Sequence, residues 1–244
     1  MTPLKTSTEA VENYLKAIYS IAAASHDAGA SQQQIAQQVG VSISGVSKML
    51  RTLARGELIE YAPYQPVRLT ERGEKIALEV IRHHRLLELY LMKTLGYGWD
   101  DVHREADRLE HYISEQMEER IESLLGFPSF DPHGDPIPTR DGIMPAFSCV
   151  TLASQPVGAR VVVGRVADED AALLRYLAER GVRPGAPLAV VEREPYGGSL
   201  VVDTPAGAAQ RVSPQAAAQV FVEPAAHGKE EPFGPQSAAS ALAS

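Results

Sequence analysis

The sequence predicts a multi-domain α+β protein. It has an N-terminal winged helix-turn-helix, a middle section of long helices and a C-terminal small β-barrel. Three observations carry that expectation. Helical periodicity interrupted by well-placed caps and glycines runs from residue 8 to 56 and is followed by two short extended runs. Two long amphipathic stretches then cover 71–95 and 101–125. Beyond a segment with five prolines and three glycines at 126–150, short β-branched runs replace the helical period up to residue 223.

Each element has a local reason. In "TEAVENYLKAIYSIAAA" (8–24) the apolar residues Val11, Tyr14, Leu15, Ile18, Ile21 and Ala22 recur at helical spacing. Thr8 or Ser7 is the expected N-cap, and Glu9 and Glu12 lie near the positive end of the helix dipole. "HDAG" at 26–29 ends this helix. Ser31 caps "QQQIAQQVG", which Gly40 closes, and Ser42 or Ser44 opens a helix that Gly56 ends. Two short helices about four residues apart make a helix-turn-helix. Leu58–Tyr61 and Val67–Thr70 read as two strands around a proline-containing turn, the wing. Thr70 caps a helix of 71–95 ended by Gly96, and a single helix is expected over 101–125. The proline-rich 126–150 reads as an irregular linker. "ARVVVGRV", "PLAVVERE", "SLVVDT" and "QVFVE", interrupted by the helical "DAALLRYLAER", fit a barrel of about 70 residues. The expected domains are thus 1–75, 76–148 (with the linker at 126–150) and 151–223. A tail at 224–244, poor in bulky apolar groups, is expected to be disordered.

Composition narrows the classes. The apolar fraction of 44% supports a core in every domain. No run approaches the ~18 apolar residues of a membrane span. The N-terminus lacks the charged-then-apolar build of a signal peptide, and one cysteine, Cys149, excludes an internal disulfide framework. The expectation is a soluble cytoplasmic protein with no membrane partner. The net charge of −8 is unevenly spread. Residues 1–75 carry 8 basic and 7 acidic side chains, a balance of +1, and the remainder carries 15 and 24, a balance of −9. A locally basic element can still bind DNA, because phosphate contacts act over about a Debye length.

Such an element is the helix at 44–55. Ser42, Ser44, Ser47, Lys48, Arg51 and Arg55 stand at its start and on its outer face, while Val46, Met49, Leu50 and Leu53 form the core face. Small hydroxyl residues let a helix N-terminus approach a groove closely, and Lys48 and Arg51 add phosphate contacts. Tyr64 and Arg68 on the wing can reach the DNA backbone. Serines serving only as caps of a solvated helix are the plainer alternative.

A second constellation occupies "HREADRLEH" (103–111). On one helix His103, Asp107, Glu110 and His111 would share an arc of roughly 100°, whereas Glu105 points elsewhere, toward Arg104 or Arg108. The preceding helix offers His84 and Glu88 at i, i+4, but Glu79 and His83 have the same spacing, so spacing alone does not choose between the pairs. Two His/carboxylate sets on successive helices suit a divalent metal. A metallohydrolase is one alternative, although no nucleophile elbow, HExxH or phosphate loop is present. A winged-helix regulator sensing an organic ligand is another.

The order "TEAVENYLKAIY", helix-turn-helix, "HRLLELYL", "VHREADRLEH" and β-barrel resembles the diphtheria-toxin-repressor (DtxR/MntR-type) family of metal-dependent transcriptional regulators across residues 5–223. H-R-x-x-E at 84–88 and V-H-x-E-A-x-R-x-E-H at 102–111 are its most diagnostic parts. The resemblance implies a helical dimerisation domain in the middle and an SH3-like (FeoA-type) third domain. It also implies no enzyme activity and a homodimer that binds double-stranded DNA at palindromic operators, most simply as a repressor. It favours His84 with Glu88 over His83 and implies two metal sites. One would use His84, Glu88, His103 and a carboxylate from the third domain, with Asp170 preferred over Asp168 and Glu169. The other would use Asp107, Glu110, His111 and Asn13. Many iron-dependent members carry Cys where Asp107 stands and Met where Asn13 stands, so the resemblance and these oxygen donors imply Mn²⁺, with Fe²⁺ the alternative. Lys16 stands where a binuclear manganese site would want a carboxylate, which implies two separate single-ion sites.

Overall fold

The computed structural model describes residues 8–25 and 28–225. Ser7, the start of the "HDAG" break and the tail from 226 onward lie outside the described residues. The chain forms two compact units that divide after Phe147.

The first unit begins with α1 (Glu9–Ala24), α2 (Gln32–Val39) and α3 (Ile43–Arg55). Thr8 caps α1 by accepting from the Val11 amide. Ser31 and Gln34 cap α2 reciprocally, and Gly40, at φ 71°, supplies the left-handed residue that ends it. Ser42, not Ser44, caps α3, accepting from the Gly45 amide. The buried faces of these helices, led by Leu15, Ile18, Ile35, Val46, Leu50 and Leu53, make one core. The wing is shorter than the sequence suggests: β1 (Ile59–Glu60) pairs antiparallel with β2 (Arg68–Leu69). Val67 bridges back to Ala30 ahead of α2, which ties the wing to the helix-turn-helix.

Helix α4 (Glu71–Leu95), capped by Thr70, passes directly under the wing. Gly73 makes that approach possible, because a Cβ there would lie 2.0 Å from the Leu58 carbonyl oxygen. The expected helix over 101–125 is instead two, α5 (Val102–Leu109) and α6 (Glu115–Leu124). Ser114 starts α6 by accepting from the Met117 amide, while Glu110 ends α5. A cap residue in the middle of the periodic run is what splits it. Leu86, Leu87, Leu91, Val102, Ala106 and Ile121 form the core between α4, α5 and α6, and Ile137 joins it. The segment expected to be a linker is therefore partly structural. Arg85 donates to the Pro136 carbonyl at 2.6 Å and pairs with Asp135 at 3.1 Å. Arg82 donates to the Pro138 carbonyl at 2.7 Å.

The second unit is a six-stranded antiparallel sheet. Its strands are β3 (Val150–Thr151), β4 (Arg160–Val166), β5 (Pro187–Arg193), β6 (Leu200–Thr204), β7 (Gly207–Val212) and β8 (Val220–Pro224), in the order β3-β8-β4-β5-β6-β7. Helices α7 (Ala171–Glu179) and α8 (Pro214–Ala217) lie in its connections. Register shifts at Val163/Arg165, Val190/Glu192 and Val202/Thr204 mark the bulges that bend such sheets. Strand β7 has no strong sequence signal, because "GAAQRV" lacks bulky β-formers and sits at the sheet edge. Leu174 and Leu177 of α7 are buried, as are Val161, Val163, Leu188, Val202 and Val222 of the strands.

Two tests follow from the helical unit. Gly73→Ala forces α4 away from the wing and is expected to destabilise the chain by about 3 kcal/mol, read by denaturant unfolding. Arg82 and His83 also grip Glu118 of α6. Burial pushes the Glu118 carboxyl up, but hydrogen bonds from His83 and Arg82 outweigh it and hold the group at about 2. Its folded value lies below the ~4.3 of an unfolded glutamate, so its stabilisation is complete above that pH and is lost as pH falls toward 2. Melting temperatures of Glu118→Gln are expected to fall less steeply than wild type between about pH 4.5 and 2, and to be lower at pH 7.

Candidate metal centre and DNA-reading helix

The metal-type residues of the first unit gather where α1 crosses α4 and α5. On α4, His84 and Glu88 are one turn apart and both are buried. His84 is the bridge of the cluster. Its Nε2 lies 3.0 Å from Glu88 Oε1 and 3.1 Å from His103 Nδ1, and His103 Nδ1 is 3.1 Å from the same Glu88 oxygen. On its other edge, His84 Nδ1 is 2.5 Å from Glu110 Oε2 and 3.3 Å from Asp107 Oδ1. The two sets that the sequence separates are therefore continuous, joined through the two nitrogens of one imidazole. Burial and the Lys16 charge push His84 down, but Glu88 and Glu110 prevail and raise it to about 9.

Glu110 and His111 stand just past the end of α5 rather than on a helix face. His111 turns back to α1. Its Nδ1 donates to Glu12 Oε2 at 2.6 Å, and its Nε2 lies 3.0 Å from Asn13 Oδ1 and 3.5 Å from Glu110 Oε1. Glu12 thereby fixes the ring so that Nε2 is the nitrogen left for a metal, the arrangement in which a carboxylate orients a histidine ligand. In the sequence Glu12 stands out only for its place near the helix dipole. Its signal, an acid between the apolar positions Val11 and Leu15 of the buried face, is weak in one dimension. Asp107 is half exposed and faces Lys16, which contacts Glu110 as well.

His83, the alternative to His84, is turned away. Its Nδ1 donates to the Glu110 carbonyl at 3.1 Å and its Nε2 lies 3.2 Å from Glu118. Glu105 pairs with Arg108 at 3.5 Å, as expected of a residue outside the cluster. A further buried group was missed entirely: Glu88, Asp131 and His133. His133 Nε2 donates to the Trp99 carbonyl at 2.9 Å, which aims Nδ1 at Glu88 Oε2, 3.5 Å away. The proline-rich context of "DPHGDP" hid it. In the second unit Asp170 serves as the N-cap of α7, accepting from the Ala172 amide at 2.8 Å. Asp168 and Glu169 precede it in the connection from β4.

The donors fit a hard divalent cation. They are imidazole nitrogens and carboxylate or amide oxygens, three carboxylates of the cluster (Glu12, Glu88, Glu110) are buried, and no thiolate is among them. The one cysteine, Cys149, lies in the second unit near Glu223, and burial first, then that carboxylate, pushes its thiol up to about 11.

The helix-turn-helix presents a coherent outer face. Ser44, Lys48, Arg51 and Arg55, spaced by four, three and four residues, are all exposed on α3. Ser42 is exposed at its N-cap, with its hydroxyl 3.0 Å from that of Ser44. Ser47 has a different role, because its hydroxyl donates to Gln32 of α2 at 2.6 Å and locks the two helices together. Arg55 Nε folds back onto the Arg51 carbonyl. Tyr64 projects fully from the wing at φ 64°, and Arg68 is exposed on β2. No helix among the described residues is long and apolar enough to cross a membrane.

Comparison with known proteins agrees with this layout. Residues 6–67 match the family description "Iron dependent repressor, N-terminal DNA binding domain". Residues 70–139 match "Iron dependent repressor, metal binding and dimerisation domain", and 150–224 match "FeoA domain". The iron-dependent repressor IdeR of Mycobacterium tuberculosis strain H37Rv is 33% identical over 208 residues, 80% of this chain and 88% of that protein. The diphtheria toxin repressor of Corynebacterium diphtheriae is 27% identical over 203 residues, covering 78% and 88%. Among solved structures, a manganese-dependent transcriptional repressor in complex with manganese superposes with a TM-score of 0.79 at 36% identity, covering 88% of this chain and 99% of that one. The manganese regulator SloR superposes with a TM-score of 0.70 at 30% identity, covering 88% and 98%. The chain belongs to the iron-dependent repressor family and is thus a metal-dependent, DNA-binding transcriptional repressor, not an enzyme.

Proposed function

We propose that Mn²⁺ is the effector of this repressor and that the metal-bound homodimer binds palindromic operators of metal-homeostasis genes. The observation that carries the choice of metal is the donor set: His84, Glu88 and His103, then Asp107 and Glu110 around the other edge of His84, with His111 and Asn13 beyond Glu110, all nitrogen or oxygen. Mn²⁺ accepts such ligands readily, whereas a site tuned for softer chemistry would offer sulfur. The solved relative that carries manganese supports the same reading. Fe²⁺ is the second reading, favoured by the identity to IdeR.

An ion held by Asn13 on one side and Glu110 and His111 on the other would supply a cross-link between α1 and the end of α5. The chain's own residues determine what that does. Asn13 belongs to α1, whose other face packs Leu15 and Ile18 into the core that carries α3. Glu110 and His111 belong to the end of α5. Fastening the two orients α3 relative to the dimer axis, so that both recognition helices can enter successive major grooves. The DNA-competent arrangement would then be favoured by the difference in metal affinity between the two arrangements, and operator DNA would tighten metal binding by the same factor.

The decisive experiment selects bound sequences from a random DNA pool with and without Mn²⁺, then measures operator affinity for wild type, Glu110→Ala and His111→Ala. Wild type is expected to tighten on adding Mn²⁺ by tenfold or more, and both variants to respond far less. Equal, metal-independent affinity in all three would refute the proposal, and a response to Fe²⁺ alone would replace the metal. On the DNA side, Lys48→Ala and Arg51→Ala are each expected to weaken operator and non-specific binding alike. The slope of log affinity against log salt should fall by about one per lost phosphate contact.

A further inference from the structure

The seam between the two ligand sets is filled. Lys16, projecting from the middle of α1, places its Nζ 3.0 Å from Asp107 Oδ1, 3.0 and 2.7 Å from the two Glu110 oxygens and 3.1 Å from His84 Nδ1. Those three partners, His84, Asp107 and Glu110, are themselves a group whose ligand atoms converge closely enough to hold a metal ion. Glu110 is buried and Lys16 is largely so, with 21% of its side chain exposed. The ammonium therefore sits in the cradle a divalent ion would need, held by the same atoms.

We propose that Lys16 is a built-in cation that occupies the His84–Asp107–Glu110 pocket and closes it to divalent metal. This rests on the reading of the flanking residues as metal sites. Two arguments carry it. An ammonium and a divalent ion cannot share the pocket, because Nζ already fills the space between His84 Nδ1, Asp107 Oδ1 and the Glu110 carboxylate that the ion would occupy, and the two cations repel at contact. Removing an ion from such a pocket also leaves two carboxylates facing each other, a cost that Lys16 cancels without any metal. Lys16 belongs to α1 and Asp107 and Glu110 to α5 and its end, so the lysine also joins the two elements in the metal-free chain. It limits the chain to the flanking sites, the second of which would meet Glu110 from the His111 side, and it raises the metal concentration at which they fill by adding a positive charge between them.

The test counts metal. Wild type, Lys16→Met and Lys16→Glu, each verified as folded by circular dichroism and thermal melting, are dialysed against excess Mn²⁺ and assayed for bound metal per chain. Both variants are expected to bind one equivalent more than wild type. The extra ion should broaden the manganese paramagnetic resonance signal, because Glu110 would then be shared between neighbouring ions. Crystals of wild type soaked in Mn²⁺ are expected to show no anomalous peak bounded by His84, Asp107 and Glu110, a reading that needs no variant. A peak in that pocket, or equal stoichiometry in the folded variants, overturns the role of Lys16. Wild type that binds no Mn²⁺ or Fe²⁺ at all overturns instead the functional reading on which it rests.

Discussion

Glu88 has no exposed surface, and it is buried among three imidazoles, those of His84, His103 and His133. A carboxylate in such a place costs several kcal/mol unless positive charge or hydrogen bonds meet both of its oxygens. Burial pushes Glu88 up, and His84, His103 and His133 bring it well below the usual carboxylate range. Around this constraint the helical unit is organised. His84 relays from Glu88 to Glu110, Lys16 neutralises Glu110 and Asp107, and Glu12 pairs with His111. Glu88 Oε1, Glu110 and Glu12 are each met by a neighbouring group, and Glu88 Oε2 is approached by His133 Nδ1 at 3.5 Å without a hydrogen bond, so the polar seam between α1 and the α4–α5 pair acts as one network with one open acceptor.

The network also accounts for how the surrounding apolar packing is divided. One core serves α1, α2, α3 and the wing, and another serves α4, α5 and α6. Helix α4 carries both, with Ala77 in the first and Leu86, Leu87 and Leu91 in the second, and the histidine pair lies between them. The loop at 131–137 seals the far side of Glu88 through His133, while Arg85 anchors the loop on Asp131 and Asp135. A segment rich in proline is suited to this work, because its stiff backbone loses little entropy on ordering.

Much of this was legible in the sequence, and the boundary of what was legible is physical. Caps and left-handed glycines act within a few residues, so Ser31, Gly40, Thr70 and Gly96 marked their helices directly. The candidate ligands were partly legible too: His84, Glu88, His103, Asp107, Glu110 and His111 all come together in the cluster. Which of His83 and His84 enters was not decided by spacing, because the two rings differ by 100° of helix rotation and only the positions of α5 and α6 separate them. Glu12 and His133 were invisible for the same reason. Their partners, His111 and Glu88, are distant in sequence, and no periodicity records a contact of that kind. The break at Ser114 was missed because apolar spacing continues across it while the backbone does not.

That break has a mechanical consequence. Glu110 and His111 ride on a short connection, 110–114, between two helices and not on the body of either. A helix resists lengthwise and lateral displacement of its interior residues because every carbonyl is bonded one turn away. A connection with few such bonds yields at far smaller cost. His84 and Glu88 thus stand on a stiff element of the candidate site, and Glu110 and His111 on a compliant one.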